Sequence, residues 1–226
     1  MTADDRAALW LTFQLAAVST AVLLLLGTPL AWWLARTRWR GRAIVEAAVA
    51  LPLVLPPTVL GFYLLLALGP HGPLGALAAA LGLPPLVFTF RGLVVGSVLY
   101  SLPFVVQPLQ AAFESVGERV LAAAASLGAG PLDRFLTVAV PLARRGFAVA
   151  AVLGFAHTLG EFGVVLMIGG NIPGETRVAS IAIYDRVETL DYAGAHRLSA
   201  ILLATSFAIL LFVYGGARRL GLRARA

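Results

Sequence analysis

The chain has 226 residues, 60% of them hydrophobic and 12% charged, with a net charge of +6. A soluble domain is closer to half apolar and a quarter charged, so this balance fits a surface that faces lipid and a single membrane domain. The absence of cysteine excludes disulfides and thiolate metal sites, and His71, His157 and His196 stand too far apart to read as a metal set.

A spanning helix needs about 20 apolar residues to cross hydrocarbon roughly 30 Å thick. The first run, about 9–35, holds 27 uncharged residues and ends in Trp32 and Trp33 at interface depth. Asp4 and Asp5 stand where a signal peptide would be basic, so the run reads as a span. The second, about 47–70, is interrupted by Pro52, Pro56 and Pro57. Residues 74–90 are uncharged but contain Gly75, Gly82 and Pro84-Pro85, and read as an outer-face re-entrant or interfacial segment. The third span, about 92–113, carries Pro103 and Pro108; the fourth, about 146–170, is broken only by His157 and Glu161; the fifth is about 198–216. The expectation is an all-α membrane protein of five transmembrane helices in one domain, 9–216.

Arginine placement sets the orientation, because cytoplasmic loops of membrane proteins are enriched in basic residues. All 17 basic residues are arginine. Five crossings put Arg36, Arg38, Arg40 and Arg42, then Arg119, Arg134, Arg144 and Arg145, then Arg218, Arg219, Arg223 and Arg225 on one side. The other side holds Arg6, Arg91, Arg177, Arg186 and Arg197 beside six acidic residues. This predicts an N-terminus outside and a C-terminus in the cytoplasm, with lipid rather than nucleic acid as the surrounding partner.

The loop between helices three and four, about 118–141, reads as two short helices meeting at Gly128-Ala129-Gly130. Pro131 suits the first turn of the second, where its missing N–H costs nothing. Glycine at the junction permits positive φ or a close approach by another backbone. Such an elbow presents a knob to a cytoplasmic partner. In helix two, Pro56 and Pro57 beside Thr58 make either a pore-lining kink or one that only shapes packing. Ser97, Ser101 and Gln107 are candidate polar pore groups on helix three. Glu161 lies roughly 22 Å along helix four, with His157 one turn earlier. An ionised carboxylate at that depth has to face protein or water, which favours a structural or gating hydrogen-bond role for Glu161 over substrate contact. No G-x-x-x-x-G-K-[ST] phosphate loop and no Ser-His-Asp set occur, so no catalytic residue is expected.

The loop resembles the EAA loop of bacterial ABC importer permeases. Ala123, Ala124, Gly128 and Pro141 match, Val138 and Val140 stand for the motif's Ile and Leu, and Ala122 replaces its glutamate. Leu159-Gly160-Glu161-Phe162-Gly163 is similar to a segment of the sulfate and molybdate branch. Asn171-Ile172-Pro173-Gly174-Glu175-Thr176-Arg177 looks like the molybdate version of the outer loop. The resemblance implies the type I, MetI-like importer permease fold in a bacterial inner membrane. It further implies a homodimer with two ATPase subunits that hold ATP and magnesium, and a periplasmic or extracellular molybdate-binding protein. In that family the loop docks on the ATPase, which assigns coupling to Ala123, Ala124, Gly128, Gly130, Pro131, Val138 and Pro141. The activity implied is molybdate import, with tungstate as co-substrate and sulfate or thiosulfate as the alternative. A reading of different class is a secondary transporter with His157 and Glu161 as proton relay. That class needs more helices, and no internal repeat supports it.

Overall fold

The computed structural model describes residues 1–219, with side chains through 211. Helix α1 (Ala3–Arg36) starts on a capping box in which the Thr2 hydroxyl accepts from the Asp5 N–H and the Asp5 carboxylate accepts from the Thr2 N–H. Its threonines recur every eight residues and each satisfies itself. Thr12, Thr20 and Thr28 donate to the carbonyls of Ala8, Ala16 and Leu24 at 2.7, 2.6 and 2.5 Å.

The second span is not one helix. Helix α2 (Arg42–Ala50) passes into a 3-10 turn at Leu51–Leu53, and α3 (Pro57–Leu68) restarts after a break at 54–56. Pro52, Pro56 and Pro57 lack the N–H groups a continuous ladder needs, and Pro57 sits at the first position of α3, where the loss is free. Helix α4 (Pro73–Ala80), eight residues long, follows a turn at 69–72. Helix α5 (Phe90–Ser115) begins on Thr89, whose hydroxyl accepts from the Gly92 N–H, and continues through Pro103 and Pro108.

Beyond α5 come α6 (Glu118–Ser126), α7 (Pro131–Asp133), a π-helical turn (Arg134–Ala139) and α8 (Val140–Leu142). Helix α9 (Arg144–Leu159) leaves this segment at a bend of 72°. The fourth span also departs from expectation. It ends as a helix at Leu159, unwinds over 160–162 and restarts as α10 (Gly163–Gly169). Helices α11 (Ala179–Glu188) and α12 (Tyr192–Arg219) complete the described chain. The first N–H of α11 is capped from α1, Ala179 donating to Thr12 Oγ1 at 2.7 Å.

Among the described residues four stretches are long and apolar enough to cross a membrane: 3–36, 57–80, 90–115 and 192–211. The pair 131–142 and 144–159, bent by 72°, makes a fifth if the two are counted as one span. The core is the seam of α1, α5 and α9, where Leu23, Ala31, Leu34, Val105, Leu109 and Ala150 are buried together. At one end, Arg36 donates to the carbonyls of Phe113 and Val116 at 2.8 and 2.5 Å and lies 5.0 Å from the Trp32 ring. The loops carrying arginines 36, 38, 40, 42, 119, 134, 144 and 145 gather at that end. Of the C-terminal arginines, Arg223 and Arg225 lie outside the described residues, as do the side chains of Arg218 and Arg219.

Candidate functional site

The 118–142 loop is built on a helix-ending motif. Gly128 has φ +91°; its N–H bonds the Ala125 carbonyl at 3.0 Å, and the Ala129 N–H bonds the Ala124 carbonyl at 3.1 Å. This crossed pair closes the last turn of α6 and requires a left-handed residue at position 128. A Cβ there would meet nothing within 4 Å, so backbone conformation and not crowding explains the glycine. Gly130 then precedes Pro131, whose helix is seated by Phe135. The Phe135 ring lies 5.2 Å from Trp32 and 6.0 Å from Phe113. No residue of α6 is fully buried: Ala123 is exposed, Ala124 is half-buried and Leu121 packs on the edge of the core. Val138 falls within the π-helical turn and Pro141 within α8.

At mid-span, α3 and α10 lie parallel with their N-termini together. A Cβ at Gly163 would stand 2.9 Å from Pro57 Cβ, and one at Gly61 would stand 2.8 Å from Met167 Cβ. Pro56 and Thr58 are exposed at this point, on the face the kink presents. Ser101 Oγ lies 2.8 Å from His157 Nδ1 and 3.0 Å from Thr158 Oγ1. His157 stacks on Phe104 at 3.9 Å between ring centroids. Glu161 is buried, neither carboxyl oxygen has a hydrogen-bond partner, and its backbone carbonyl accepts from Ser180 at 2.6 Å. The bond that orients His157 therefore goes to Ser101, and the His157–Glu161 relay considered from spacing is not assembled.

The Asn171–Arg177 segment is a self-bonded turn. The Ile172 carbonyl accepts from the N–H groups of Glu175, Thr176 and Arg177, with Gly174 at φ +78°. Thr176 is fully buried; its hydroxyl donates to the Gly169 carbonyl at 2.7 Å and accepts from the Ile172 N–H at 3.2 Å. Arg177 donates to Asn171, which donates to Asp185 of α11. Pro173, Gly174 and Glu175 project at the surface. Nearby, Arg186 pairs with both Asp5 and Asp191. Asp5 belongs to the first turn of α1, ahead of the uncharged run that begins at Leu9. Burial opposes its charge, but the bonds from Thr2 and Arg186 outweigh that and hold the carboxyl below the usual range.

Residues 27–223 match the family described as binding-protein-dependent transport system inner membrane component. The chain belongs to that family. It is 62% identical to the molybdenum transport system permease protein of Azotobacter vinelandii, over 95% of each chain. It is 35% identical to the sulfate transport system permease protein of Synechocystis, over 89% of this chain and 70% of that one. Its fold matches a bacterial ABC transporter that imports the acidic polysaccharide alginate, with a TM-score of 0.80 at 18% identity, over 97% of this chain and 80% of that one. The chain is thus a multi-pass inner-membrane transport permease with the fold of ABC importers.

Two features of this permease escaped sequence reasoning. Leu127, immediately before Gly128, is 88% exposed, and Leu132 and Leu136 stand exposed beside it. Large apolar residues flanking a glycine elbow were the available signal. The second is a cavity of about 500 Å³ between α2 and α5, lined in part by Glu46, Gln107, Gln110 and Glu114. Arg42 bonds Glu46 and Glu114 at 2.8 and 2.7 Å, and Gln110 bonds Glu46 at 2.8 Å. The Arg42–Glu46 spacing was legible; the bridge to Glu114 depends on tertiary placement.

Proposed function

We propose that this permease is the membrane-spanning subunit of an ATP-driven importer that carries molybdate, with tungstate as co-substrate, into the cytoplasm by alternating access. The observation that carries the substrate is the 62% identity, over 95% of each chain, to a molybdenum transport permease. Sulfate is the second reading, favoured by more distant relatives.

The sequence lacks a phosphate loop, so ATP and magnesium belong to a separate ATPase chain. Two permeases and two ATPases make the working unit, and the Leu127–Gly128 elbow is the part that enters a groove on each ATPase. The elbow is well suited to this task. Its backbone groups are internally bonded while its apolar side chains remain uncovered, so docking buries hydrocarbon without burying unpaired backbone polar groups. Motion of the ATPases then reaches the spans through Phe135, which packs on Trp32 and Phe113 at the ends of α1 and α5. The arginine-rich end faces the cytoplasm, which puts the N-terminus and the Asn171–Arg177 turn outside, where a binding protein delivers the anion. The kink at Pro56, Pro57 and Thr58 borders the conduit, whereas Glu161 is turned into the protomer and does not oppose a passing anion.

Reconstitution with the cognate ATPase and binding protein in proteoliposomes tests this reading. Labelled molybdate uptake is expected to require ATP and to be suppressed by excess tungstate more strongly than by equal sulfate. Equal suppression by sulfate moves the assignment to sulfate, and uptake that persists without ATP removes the importer mechanism.

A further inference from the structure

Three buried polar residues within the spanning region have side-chain oxygens without hydrogen-bond partners. They are Ser19 of α1, Ser97 of α5 and Glu161, with both its oxygens, at the break between α9 and α10. Ser19 and Ser97 are fully buried, and Glu161 is 4% exposed.

The helix registers bring the three to one depth. Helices α1 and α5 run in the same direction, since a Cβ at Gly27 would touch Val105 and Val106, and Arg36 bonds Phe113 and Val116. Eight residues back from Gly27 and Val105 stand Ser19 and Ser97. Helix α9 runs the opposite way. From the Ser101–Thr158 hydrogen bond, one turn back along α5 reaches Ser97 and one turn forward reaches Glu161. Ser97 and Glu161 thus face one another across the α5–α9 seam, with no hydrogen bond between them. An apolar cluster with Leu15, Leu93 and Val165 seals one side of this layer, and a second with Leu23, Val105 and Ala150 seals the other.

Buried polar groups nearly always have partners, and orphans call for an ion or a water. An ionised carboxylate alone at this depth costs several kcal/mol. The α9 helix ends here with the negative pole of its dipole, and unwound segments with half-helix C-termini are where membrane proteins coordinate sodium ions and protons. Carboxylate and hydroxyl oxygens are hard ligands, and the described residues hold no group of three or more His, Cys, Asp or Glu suited to a softer metal. A single carboxylate matches a single positive charge. We propose that Ser19, Ser97 and Glu161 form a buried site for a hard monovalent cation, a sodium ion or a proton, which neutralises Glu161 and ties α1 and α5 to the helix break. Other titratable groups facing the site are Tyr100 of α5 and His157 of α9, with Tyr184 of α11 stacked on Phe162. Helix α1 offers only hydroxyls on this side.

The test measures the thermal midpoint of the full-length permease in lipid nanodiscs. One arm exchanges choline for sodium at constant ionic strength and pH; the other runs from pH 6 to 9 in choline. The wild-type midpoint is expected to rise with sodium, or to fall as pH rises without a sodium response, by about 2–4 °C or more. Glu161→Gln, already neutral, stays flat in the arm that responds. A sodium response identifies the metal, and a pH response alone identifies the proton. Ser97→Ala keeps the carboxylate and is expected to move the responding curve toward weaker binding. Parallel curves for wild type and Glu161→Gln in both arms overturn the proposal. Should Glu161→Gln fail to fold, an unshifted Ser97→Ala curve overturns it instead.

Discussion

The elbow at 126–131 and the break at 160–163 both interrupt helices, yet they solve opposite problems. At the elbow the backbone is satisfied by crossed hydrogen bonds while Leu127 and its neighbours are left to solvent. At the break the apolar surroundings are closed while Glu161 and Ser97 are left without partners. One discontinuity has apolar surface in excess and is shaped for another protein. The other has polar groups in excess and is shaped for something small. Glycine serves both by different means: Gly128 supplies a left-handed backbone in open space, whereas Gly163 supplies the room for contact with Pro57.

Substitution at these two glycines separates the two roles most sharply. Gly128→Trp forces a side chain into φ +91°, costing about 1–2 kcal/mol locally, and places a bulky ring on the docking knob. Transport and ATPase association are expected to fall together by more than tenfold, with expression near wild type and the thermal midpoint lowered by only a few degrees. Normal labelled uptake would show that the elbow is not a transmission joint. Gly163→Val acts the other way. Its Cβ would stand 2.9 Å from Pro57 Cβ, an overpacking cost of about 1–3 kcal/mol. The thermal midpoint is expected to drop while ATPase association persists; a variant that binds no ATPase yet melts normally contradicts the contrast.

Smaller effects belong to the termini of the bundle. The Asp5 carboxyl is held below its usual range, so its ion pair contributes stability at neutral pH that is lost as pH falls through the folded-state value. Thermal midpoints measured from pH 7 down to pH 3 are expected to fall more steeply for wild type than for Asp5→Asn. Equal slopes would remove the pair from the account. The smallest effect is expected for Arg38→Ala, which breaks a 3.4 Å pair with Glu118 that is open to solvent on both sides. Its stability change, read from the same melts, should stay within about 0.5 kcal/mol.

Much of this arrangement was legible in the sequence. The uncharged runs located the first, third and last spans, whereas the second long apolar stretch runs 57–80 rather than 47–70 and takes in part of the segment expected to lie at the outer face. Pro52, Pro56 and Pro57 announced the interruption between α2 and α3. Gly128 and Pro131 marked the elbow because turn chemistry is local. The break at 160–162 was missed because it contains no proline, and Gly160 and Gly163 fit the helical spacing of packing glycines equally well. The layer of Ser19, Ser97 and Glu161 was invisible for a different reason. Its members stand far apart in sequence and meet only through the parallel register of α1 with α5. The π-helical turn at Arg134–Ala139 has no composition signal at all.

That parallel register also has a consequence in time. Arg36 and the Phe113 carbonyl it caps are 77 residues apart, so at about 5–20 residues per second α1 is made roughly 4–15 s before its main partner exists. During that interval the helix sits among lipids with nothing to pack on. Thr12, Thr20 and Thr28 suit such a wait, because each hydroxyl is bound to its own helix and needs no neighbour. The nascent first span therefore holds its three threonines without outside help. The arrival of α5 adds contacts to it without first having to undo any.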